Sequence, residues 1–273
     1  MGNVLDKPGG MSQEQRIQEE GYSFPYHYVP RWERGRFAQH SYWSWGFRYL
    51  GGLQLVLDQL LGMKFGSLVD IGCGDGRFLR EAARHHPDVT LLGVDYSEQA
   101  IRLAQAMNSH LRYRVQDIVT EPLNGRFDVV TLIEVLEHIP PPQAPAFVAA
   151  VAAALGESGR LVLTVPHRNV PVTPKHFQHF DEQGLRKLLE PHFDDLRFIP
   201  FDTLSAKAPL LALLERLIGG RGRYWVMTNR RLLSAFFRFY LRRYLYCSGE
   251  KTCSRIAVVG RKRAVAPDTG AAG

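Results

Sequence analysis

Short apolar runs alternate with segments of helical periodicity over residues 47–201 of the chain. The runs have the length of strands that are buried on both faces of a sheet, and the intervening segments repeat apolar residues at the spacing of an amphipathic helix. The predicted strands are 67–71, 90–94, 112–116, 127–133, 160–165, 196–201 and 255–260. The predicted helices are 47–61, 77–86, 98–107, 144–155 and 182–190. This alternation predicts an α/β fold with a doubly wound, mostly parallel, seven-stranded Rossmann-like sheet that carries helices on both faces.

Two segments stand outside this alternation. Residues 1–46 contain many aromatic side chains and are predicted to form a helical N-terminal extension that acts as a lid. Residues 202–253 separate the last two predicted strands, and their periodicity indicates two helices, 210–218 and 231–246. We therefore predict five parts: an extension over 1–46, a Rossmann-like core over 47–201, a helical insert over 202–253, a last core strand over 254–263 and a flexible tail over 264–273.

The composition is that of an ordinary globular protein. The chain has 273 residues, of which 45% are hydrophobic and 22% charged, so disorder over most of its length is excluded. Three cysteines, Cys73, Cys247 and Cys253, are too few for a disulfide framework and form no C-x-x-C pair that would suggest zinc. No apolar run reaches the roughly 20 residues of a membrane-spanning helix, and the N-terminus lacks the pattern of a signal peptide. We expect a cytoplasmic protein, with peripheral attachment to a membrane as the alternative.

The net charge of +7 is concentrated near the C-terminus. Residues 203–263 contain 14 basic residues against Glu215 and Glu250, a local net charge of +12, so the rest of the chain carries −5. Arginines interleave with aromatic residues along 230–244, which is the pattern of a basic amphipathic helix. Four interpretations stay open for residues 203–253: docking on an anionic membrane surface, binding of a phosphate group, a folded lid with a solvated basic face and, less favoured, binding of nucleic acid.

The sharpest chemical signal is a glycine-rich turn between the first strand and the first helix of the alternation. It reads Asp70-x-Gly72-x-Gly74-x-Gly76, with Cys73 inside it. Glycines let the backbone approach a ligand closely, and the N-terminus of the following helix supplies amide donors. A glycine-rich turn alone is a weak signal, because many such turns serve only to reverse the chain.

Two further strand ends strengthen the signal. Asp95 ends the second strand, where doubly wound folds place a carboxylate that binds the hydroxyls of an adenosine ribose. Tyr96 offers a flat apolar face to a base, and Asp117, with Ile118 beside it, can accept a hydrogen bond from an adenine amino group. Each residue alone is equally explained as a helix cap or a core position. Their occurrence at successive strand ends predicts a nucleoside site at one edge of the sheet.

Together these residues resemble the class I S-adenosylmethionine-dependent methyltransferases. The resemblance covers roughly residues 65–200 and includes strand 127–133 with the string Glu134-x-x-Glu137-His138 that follows it. It implies S-adenosylmethionine as the cofactor, with the glycines and Asp70 at its methionine part and Ile133 on the sulfonium side. The cofactor-binding residues that it implies are Asp70, Gly72, Cys73, Gly74, Gly76, Asp95, Tyr96, Asp117, Ile118 and Ile133.

The Glu134-x-x-Glu137-His138 string admits two interpretations. In the first, Glu134 and His138 brace the turn before three prolines. In the second, Glu134, Glu137 and His138 join His176, from the later string His176-x-x-His179, in binding a divalent metal such as Mg²⁺ or Mn²⁺. The pair of strings is similar to the metal-dependent 2′-O-methyltransferases of small-RNA 3′ ends, although the arginine and tryptophan context of that family is missing. The first string also resembles the ubiquinone-pathway O-methyltransferases, in which a metal role is attributed to it.

The predicted activity is S-adenosylmethionine-dependent methyl transfer. The leading hypothesis is O-methylation of a small or lipid-linked metabolite, such as a glycan or secondary metabolite. Methyl transfer needs mainly positioning, but a hydroxyl acceptor also needs a group that draws off its proton. The predicted catalytic residues are Glu137, His138 and His179, with His167 and His176 as further candidates for the base. The alternatives are an RNA 2′-O-methyltransferase with a divalent metal and a non-catalytic S-adenosylmethionine-binding module.

Overall fold

A seven-stranded sheet forms the centre of the protein in the computed structural model. The structure describes residues 12–21, 27, 30–33, 36–39, 46–123, 125–219, 229–247 and 249–264. A separate hairpin consists of β1 (Pro30–Glu33) and β2 (Arg36–Gln39). The strands of the sheet are β3 (Ser67–Ile71), β4 (Thr90–Asp95), β5 (Arg112–Val115), β6 (Phe127–Ile133), β7 (Leu155–Pro166), β8 (Phe193–Thr203) and β9 (Cys253–Lys262). The helices are α1 (Gln13–Gly21), α2 (Gly46–Leu61), α3 (Arg77–His85), α4 (Glu98–Met107), α5 (Ala144–Ala154), α6 (Glu182–Leu189), α7 (Pro209–Gly219) and α8 (Arg230–Arg243).

The strands follow the order β5-β4-β3-β6-β7-β9-β8. All neighbouring strands from β5 to β7 are parallel, whereas β9 is antiparallel to both β7 and β8. The predicted mostly parallel, seven-stranded, doubly wound sheet is therefore confirmed. In this topology the carboxyl ends of β3, β4, β6 and β8 and the amino end of β9 lie at one edge of the sheet.

Apolar side chains fill both faces of the sheet. One buried cluster joins α2 and α3 to the sheet, and a second cluster joins α5 and α6 to it. Leu50, Leu53 and Leu57 of α2 are almost fully buried, as their helical spacing predicts. Neighbouring residues of β6 face opposite ways, so that Val129 belongs to the first cluster and Val130 to the second.

The insert between β8 and β9 contains α7 and α8. The inner face of α8 buries Leu233, Phe236, Phe237 and Tyr240 in the first cluster. The Phe47 ring meets Phe236 and Tyr240 edge-on, with ring centroids 5.0 and 4.9 Å apart. The insert is therefore packed against the same face of the sheet as α2. Among the helices of the described ranges, none is long and apolar enough to cross a membrane.

The structure differs from the sequence prediction at several element ends. α8 ends at Arg243 and not at residue 246, because the chain then turns to pair with β8: the Asp202 N–H donates to the Leu245 carbonyl, and Tyr246 forms a β-bridge with Phe201. The hairpin β1–β2 lies in a stretch for which only a helical extension was predicted. Most of residues 1–46 and the tail from residue 265 lie outside the described residues, so the division into five parts stays a prediction.

Candidate active site

A cavity of about 990 Å³ opens at the edge of the sheet where β3, β4 and β6 end. Its lining includes the glycine-rich turn after β3, the residues that follow β4 and β5, and the E-x-x-E-H segment (134–138) after β6. Gln15 and Gln18 of α1 and Arg48 and Tyr49 of α2 contribute further walls. This volume lies in the upper range of small-molecule sites, so one cofactor and a small acceptor fit together.

The glycine-rich turn needs its glycines for packing as well as for access. Gly72, Gly74 and Gly76 adopt positive φ angles of 73°, 54° and 75°. A Cβ atom on Gly72 would lie 2.5 Å from Val135, and one on Gly76 would lie 2.3 Å from the hydroxyl of Tyr113. Gly72 and Gly74 line the cavity, whereas Gly76 lies behind the turn against Tyr113. All the other residues that the resemblance implied for the cofactor line the cavity.

Two buried carboxylates stand at the ends of β3 and β4. Asp70 accepts a hydrogen bond of 2.6 Å from the Thr131 hydroxyl, and burial raises its pKa to about 7. Asp95 accepts hydrogen bonds of 2.9 Å from the backbone N–H groups of Gly74 and Ser97. Burial raises the pKa of Asp95 to about 6, although these backbone donors favour the charged form. Both carboxylates are buried away from water. A ligand whose amino or hydroxyl groups donate hydrogen bonds to them would therefore bind favourably there.

The residues after β4 and β5 build the side of the cavity predicted to hold the base. Ile118 is buried and Tyr96 is half-exposed. Asp117 is exposed, and its Oδ1 accepts a hydrogen bond of 3.0 Å from the Val119 N–H, so it also caps its own turn. Cys73 is buried beside the acidic residues, and burial raises the pKa of its thiol, which stays uncharged.

The E-x-x-E-H segment begins with a strained residue. Glu134 has a φ of 55°, in the left-handed region that disfavours side chains other than glycine. Its N–H donates to the Thr164 carbonyl of β7, and its Oε2 accepts a hydrogen bond of 3.0 Å from Nε of Arg255. The structure thus holds Glu134, a predicted metal ligand, against an arginine of β9.

The other three predicted ligands form a cluster. The ligand atoms of Glu137, His138 and His176 all lie within 4.8 Å of one another. The two strings meet because the loop after β7 folds back on the segment after β6, where the Phe177 N–H donates to the Glu137 carbonyl at 2.9 Å. His179 joins the cluster from behind, with its Nε2 2.8 Å from Nδ1 of His176.

Hydrogen bonds determine which imidazole nitrogens carry protons. A backbone carbonyl can only accept a hydrogen bond. Nδ1 of His138 therefore donates to the Lys175 carbonyl and Nδ1 of His179 to the Val170 carbonyl, each at 2.8 Å. Nδ1 of His176 lies 2.8 Å from Nε2 of His179, and when Nδ1 of His176 is the donor of this pair, its own Nε2 carries no proton. Nε2 of His138 and Nε2 of His176 then keep their lone pairs. Burial lowers the pKa of His138 to about 4 and that of His176 to about 3, so both rings are neutral near pH 7.

Glu137 is the buried carboxyl group of the cluster. Its side chain is fully buried, and no hydrogen-bond partner for either carboxylate oxygen occurs within the described residues. Burial, together with the charge of Glu134, raises its pKa well above the usual range. A buried carboxylate without a partner is costly. The cluster is therefore suited to receive a proton, a ligand hydroxyl or a metal ion.

Sequence reasoning missed several polar residues of the cavity wall. They are Arg48, Lys175, Asp202, Ser254 and Arg255. The available signal was a charged residue at the start of an otherwise apolar strand, as Arg255 is in β9. His167, one of the candidate bases, does not line the cavity; its Nε2 lies 3.4 Å from Glu250 instead.

A doubly wound sheet whose strand ends line one cavity is the architecture of the S-adenosylmethionine-dependent methyltransferases. A family model described as "Methyltransferase domain" matches residues 42–205, which is more than half of the chain. The chain belongs to this family. The predicted family, fold and enzyme class are therefore confirmed.

Curated relatives include ubiquinone biosynthesis O-methyltransferases. That of Idiomarina loihiensis is 37% identical over 127 residues, which cover 44% of this chain and 49% of the relative. That of Coxiella burnetii is 34% identical over 118 residues, which cover 41% of this chain and 49% of the relative. The matches thus span about half the length of these relatives.

Solved structures share the fold at low sequence identity. Phosphoethanolamine N-methyltransferase 2 of Haemonchus contortus, in complex with S-adenosyl-L-methionine, aligns with a TM-score of 0.59 at 15% identity over 93% of this chain and 60% of that chain. A SAM-dependent methyltransferase of Thermotoga maritima, a possible histamine N-methyltransferase, aligns with a TM-score of 0.56 at 16% identity over 92% of this chain and 97% of that chain. At these identities the likeness shows the fold.

Proposed function

We propose that the chain transfers the methyl group of S-adenosylmethionine to a hydroxyl group of a small or lipid-linked metabolite. One observation carries the proposal: Glu137, His138 and His176 meet in the wall of the cavity that the glycine-rich turn also lines. A hydroxyl is a poor nucleophile until its proton is drawn off, whereas a free amine needs no such help. The curated relatives are named O-methyltransferases, which agrees with oxygen as the accepting atom.

The residues present fit the cofactor. Gly72 and Gly74 leave the backbone of the turn accessible at two positions where it lines the cavity, and Asp95 adds a buried carboxylate to the same wall. The sulfonium of S-adenosylmethionine supplies a methyl carbon that is already activated for displacement. In the proposed arrangement Asp70 holds the methionine amino group, Asp95 holds the ribose hydroxyls, and the chain acts chiefly by positioning the reactants.

The low pKa values of the cluster histidines bear on how the acceptor proton leaves. A base with a pKa of about 4, as in His138, or about 3, as in His176, is poorly matched to a hydroxyl. Burial raises the pKa of Glu137, so in its charged form this carboxylate binds a proton more strongly than either histidine. We therefore propose that Glu137 takes the proton of the acceptor hydroxyl. His138 and His176 orient the acceptor oxygen, and His179 orients the ring of His176.

The same cluster fits a divalent metal. Both histidines keep a lone pair on Nε2 while Nδ1 donates to a fixed acceptor, which is how metal-binding histidines are oriented. Glu137, His138 and His176 would hold the ion, and Glu134, held by Arg255, would not. A bound divalent ion lowers the pKa of a coordinated hydroxyl.

Calorimetric titration with MnCl₂ after treatment with EDTA tests the metal part of the proposal. We expect binding by the wild type, loss of binding in Glu137→Gln and His176→Gln, and retention in Glu134→Gln, which is the matched control three residues away. Absence of binding in the wild type, or equal loss in Glu134→Gln, would rule out this ligand set.

An acceptor screen tests the function itself. Release of S-adenosylhomocysteine from S-adenosylmethionine is measured with catechols, prenylated phenols, sugars and matched amines, with MnCl₂ and with EDTA. We expect release with hydroxyl acceptors in the wild type and none in Glu137→Gln. Equal release with the amines, undiminished in Glu137→Gln, would contradict O-methylation at this cluster.

RNA 2′-O-methylation is the second candidate, and the meeting of the two histidine-containing strings favours it. A salt titration separates the two candidates, because RNA binding falls steeply with salt concentration while binding of an uncharged metabolite does not. Methyl incorporation into an RNA 3′ end that declines steeply with salt would replace the metabolite proposal.

A further inference from the structure

The outer face of α8 differs sharply from its inner face. The inner face is apolar and packs on the core, as described above. The outer face exposes Arg231, Leu232, Ala235, Arg238, Phe239, Arg242 and Arg243. No acidic residue occurs between Arg230 and Arg243. The exposed surface of this helix is therefore both basic and apolar.

The outer face has an ordered arrangement of charge. At about 100° per residue, the positions follow one another around the helix. Their order is Arg238, Arg231, Arg242, Ala235, Phe239, Leu232 and Arg243. An apolar stripe thus runs between a cluster of three arginines on one side and Arg243 on the other. Phe239 is 37% exposed and Leu232 48% exposed, so the stripe is open to a partner.

The neighbouring helix α7 also exposes apolar side chains. Leu210 and Leu213 of α7 are 50% and 51% exposed, and α7 contacts α8. Both helices follow β8, whose carboxyl end lies at the cavity edge of the sheet. Leu204 and Ser205, just before α7, line the cavity itself. The insert therefore connects an exposed basic and apolar face with the wall of the active-site cavity.

We propose that the outer face of α8 docks on an anionic membrane surface. Interfacial helices bury an apolar stripe among the lipid headgroups while arginines beside the stripe reach the phosphate groups. Phe239 and Leu232 supply the stripe, and the arginines on both sides supply the charge. Nucleic acid also binds arginine and aromatic rings, but its phosphates and bases make no specific contact with exposed leucine side chains. A solvated face would gain nothing from grouping these apolar residues.

This docking would place at the membrane the insert that follows Leu204 and Ser205 of the cavity wall. A lipid-linked acceptor would then enter from the membrane, a consequence that rests on the proposed function. The docking itself does not rest on it, because the face is formed by residues outside the cofactor site.

Co-sedimentation with vesicles tests the proposal on the full chain. The vesicles are phosphatidylcholine alone, or phosphatidylcholine with phosphatidylglycerol as about a third of the lipid. We expect binding only to the anionic vesicles, weakened at high salt. The double variant Arg238→Glu/Arg242→Glu is expected to lose at least about tenfold in affinity, and Leu232→Ser/Phe239→Ser is expected to bind more weakly than the wild type.

The matched control reverses two charges elsewhere. Arg112 begins β5 and Arg126 directly precedes β6, so both exposed arginines lie at the edge of the sheet away from the cavity. Arg112→Glu/Arg126→Glu therefore changes the net charge by the same amount without altering α8. Equal weakening in this control, binding to neutral vesicles, or RNA binding that needs α8 while vesicle binding does not, would overturn the proposal.

S-adenosylhomocysteine affinity, measured in parallel, separates this proposal from the proposed function. We expect the α8 variants to bind S-adenosylhomocysteine like the wild type. A wild type that binds anionic vesicles through α8 but not S-adenosylhomocysteine would support docking and contradict the proposed function.

Discussion

Nε of Arg255 lies 3.0 Å from Oε2 of Glu134 and so joins the start of β9 to the segment that follows β6. The same guanidinium donates to Asp202 at 2.8 Å, and both acidic residues have left-handed backbone angles, with φ of 55° and 58°. Asp202 also accepts hydrogen bonds from Tyr240 of the insert and from Arg48 of α2. One buried network thus connects the cavity wall, the last two strands and the insert.

Replacement of Arg255 by methionine is expected to destabilise the protein strongly. Arg255→Met leaves Glu134 without its arginine partner and Asp202 with Arg48 as its remaining one, which costs about 3 kcal/mol in the free energy of unfolding. Arg261 on the same strand pairs with Asp194 at an exposed site, so Arg261→Met should cost clearly less than Arg255→Met. Urea unfolding of both variants measures the difference, and equal losses would show that the network is not stabilising.

The insert is expected to depend on the Tyr240 hydroxyl. It donates to Asp202 at 2.7 Å in a fully buried position, so Tyr240→Phe should lower the free energy of unfolding by about 1–2 kcal/mol. Tyr246 donates to Asp58 at an exposed site, and Tyr246→Phe should change it by less than about 0.5 kcal/mol. Chemical denaturation of both variants checks this, and an unchanged Tyr240→Phe would refute the role given to the hydroxyl.

Gly76 is expected to tolerate no side chain. Gly76→Ala combines a φ of 75° with a Cβ atom that would lie 2.3 Å from the Tyr113 hydroxyl, so a loss of about 1–3 kcal/mol in unfolding free energy is expected. Gly62 has nothing within 4 Å of an added Cβ atom and serves as the control. Thermal unfolding of Gly76→Ala and Gly62→Ala measures both effects; similar melting temperatures would contradict the packing described here.

The cofactor-free protein is expected to lose stability as the pH rises, because the ionisation of buried Asp70 is unfavourable in the folded state. Its pKa of about 7 in the folded protein exceeds the unfolded value of about 4, so its contribution is greatest in acid and is lost as the pH rises through 7. Asp70→Asn retains an acceptor for the Thr131 hydroxyl and removes the charge. Relative to the wild type, the variant should gain about 2–3 kcal/mol between about pH 5 and about pH 8.

Urea titrations at both pH values check this expectation. Asp70→Asn should at the same time bind S-adenosylmethionine more weakly, because the carboxylate is assigned to the methionine amino group. A stability difference that does not change with pH would mean that Asp70 is not titrating in this range.

The strand ends were predictable because their signals are local. Asp70, the glycines and Asp95 each follow an apolar run, and parallel strands bring such ends to one edge whatever the details of packing. The position of Gly76 was not predictable, since the side chain that excludes a Cβ atom there belongs to Tyr113 on another strand.

The acceptor side of the cavity was predictable only in part. The sequence pattern predicts one set of metal ligands, made up of Glu134, Glu137, His138 and His176. In the structure Glu137, His138 and His176 form a cluster. Glu134 is held instead by Arg255, 121 positions away, and nothing in the local pattern of either residue indicates the other. The orientation of the imidazoles depends on backbone carbonyls of a loop, whose course no periodicity describes.

The central claim is that one cavity holds the cofactor at the glycine-rich turn and the acceptor at the Glu137 cluster. Calorimetric titration of S-adenosylhomocysteine into the wild type, Asp95→Asn and His138→Gln tests it most directly. The wild type should bind, Asp95→Asn should bind at least about tenfold more weakly, and His138→Gln should bind within about twofold of the wild type. A wild type that does not bind, or equal losses in the two variants, would contradict the account.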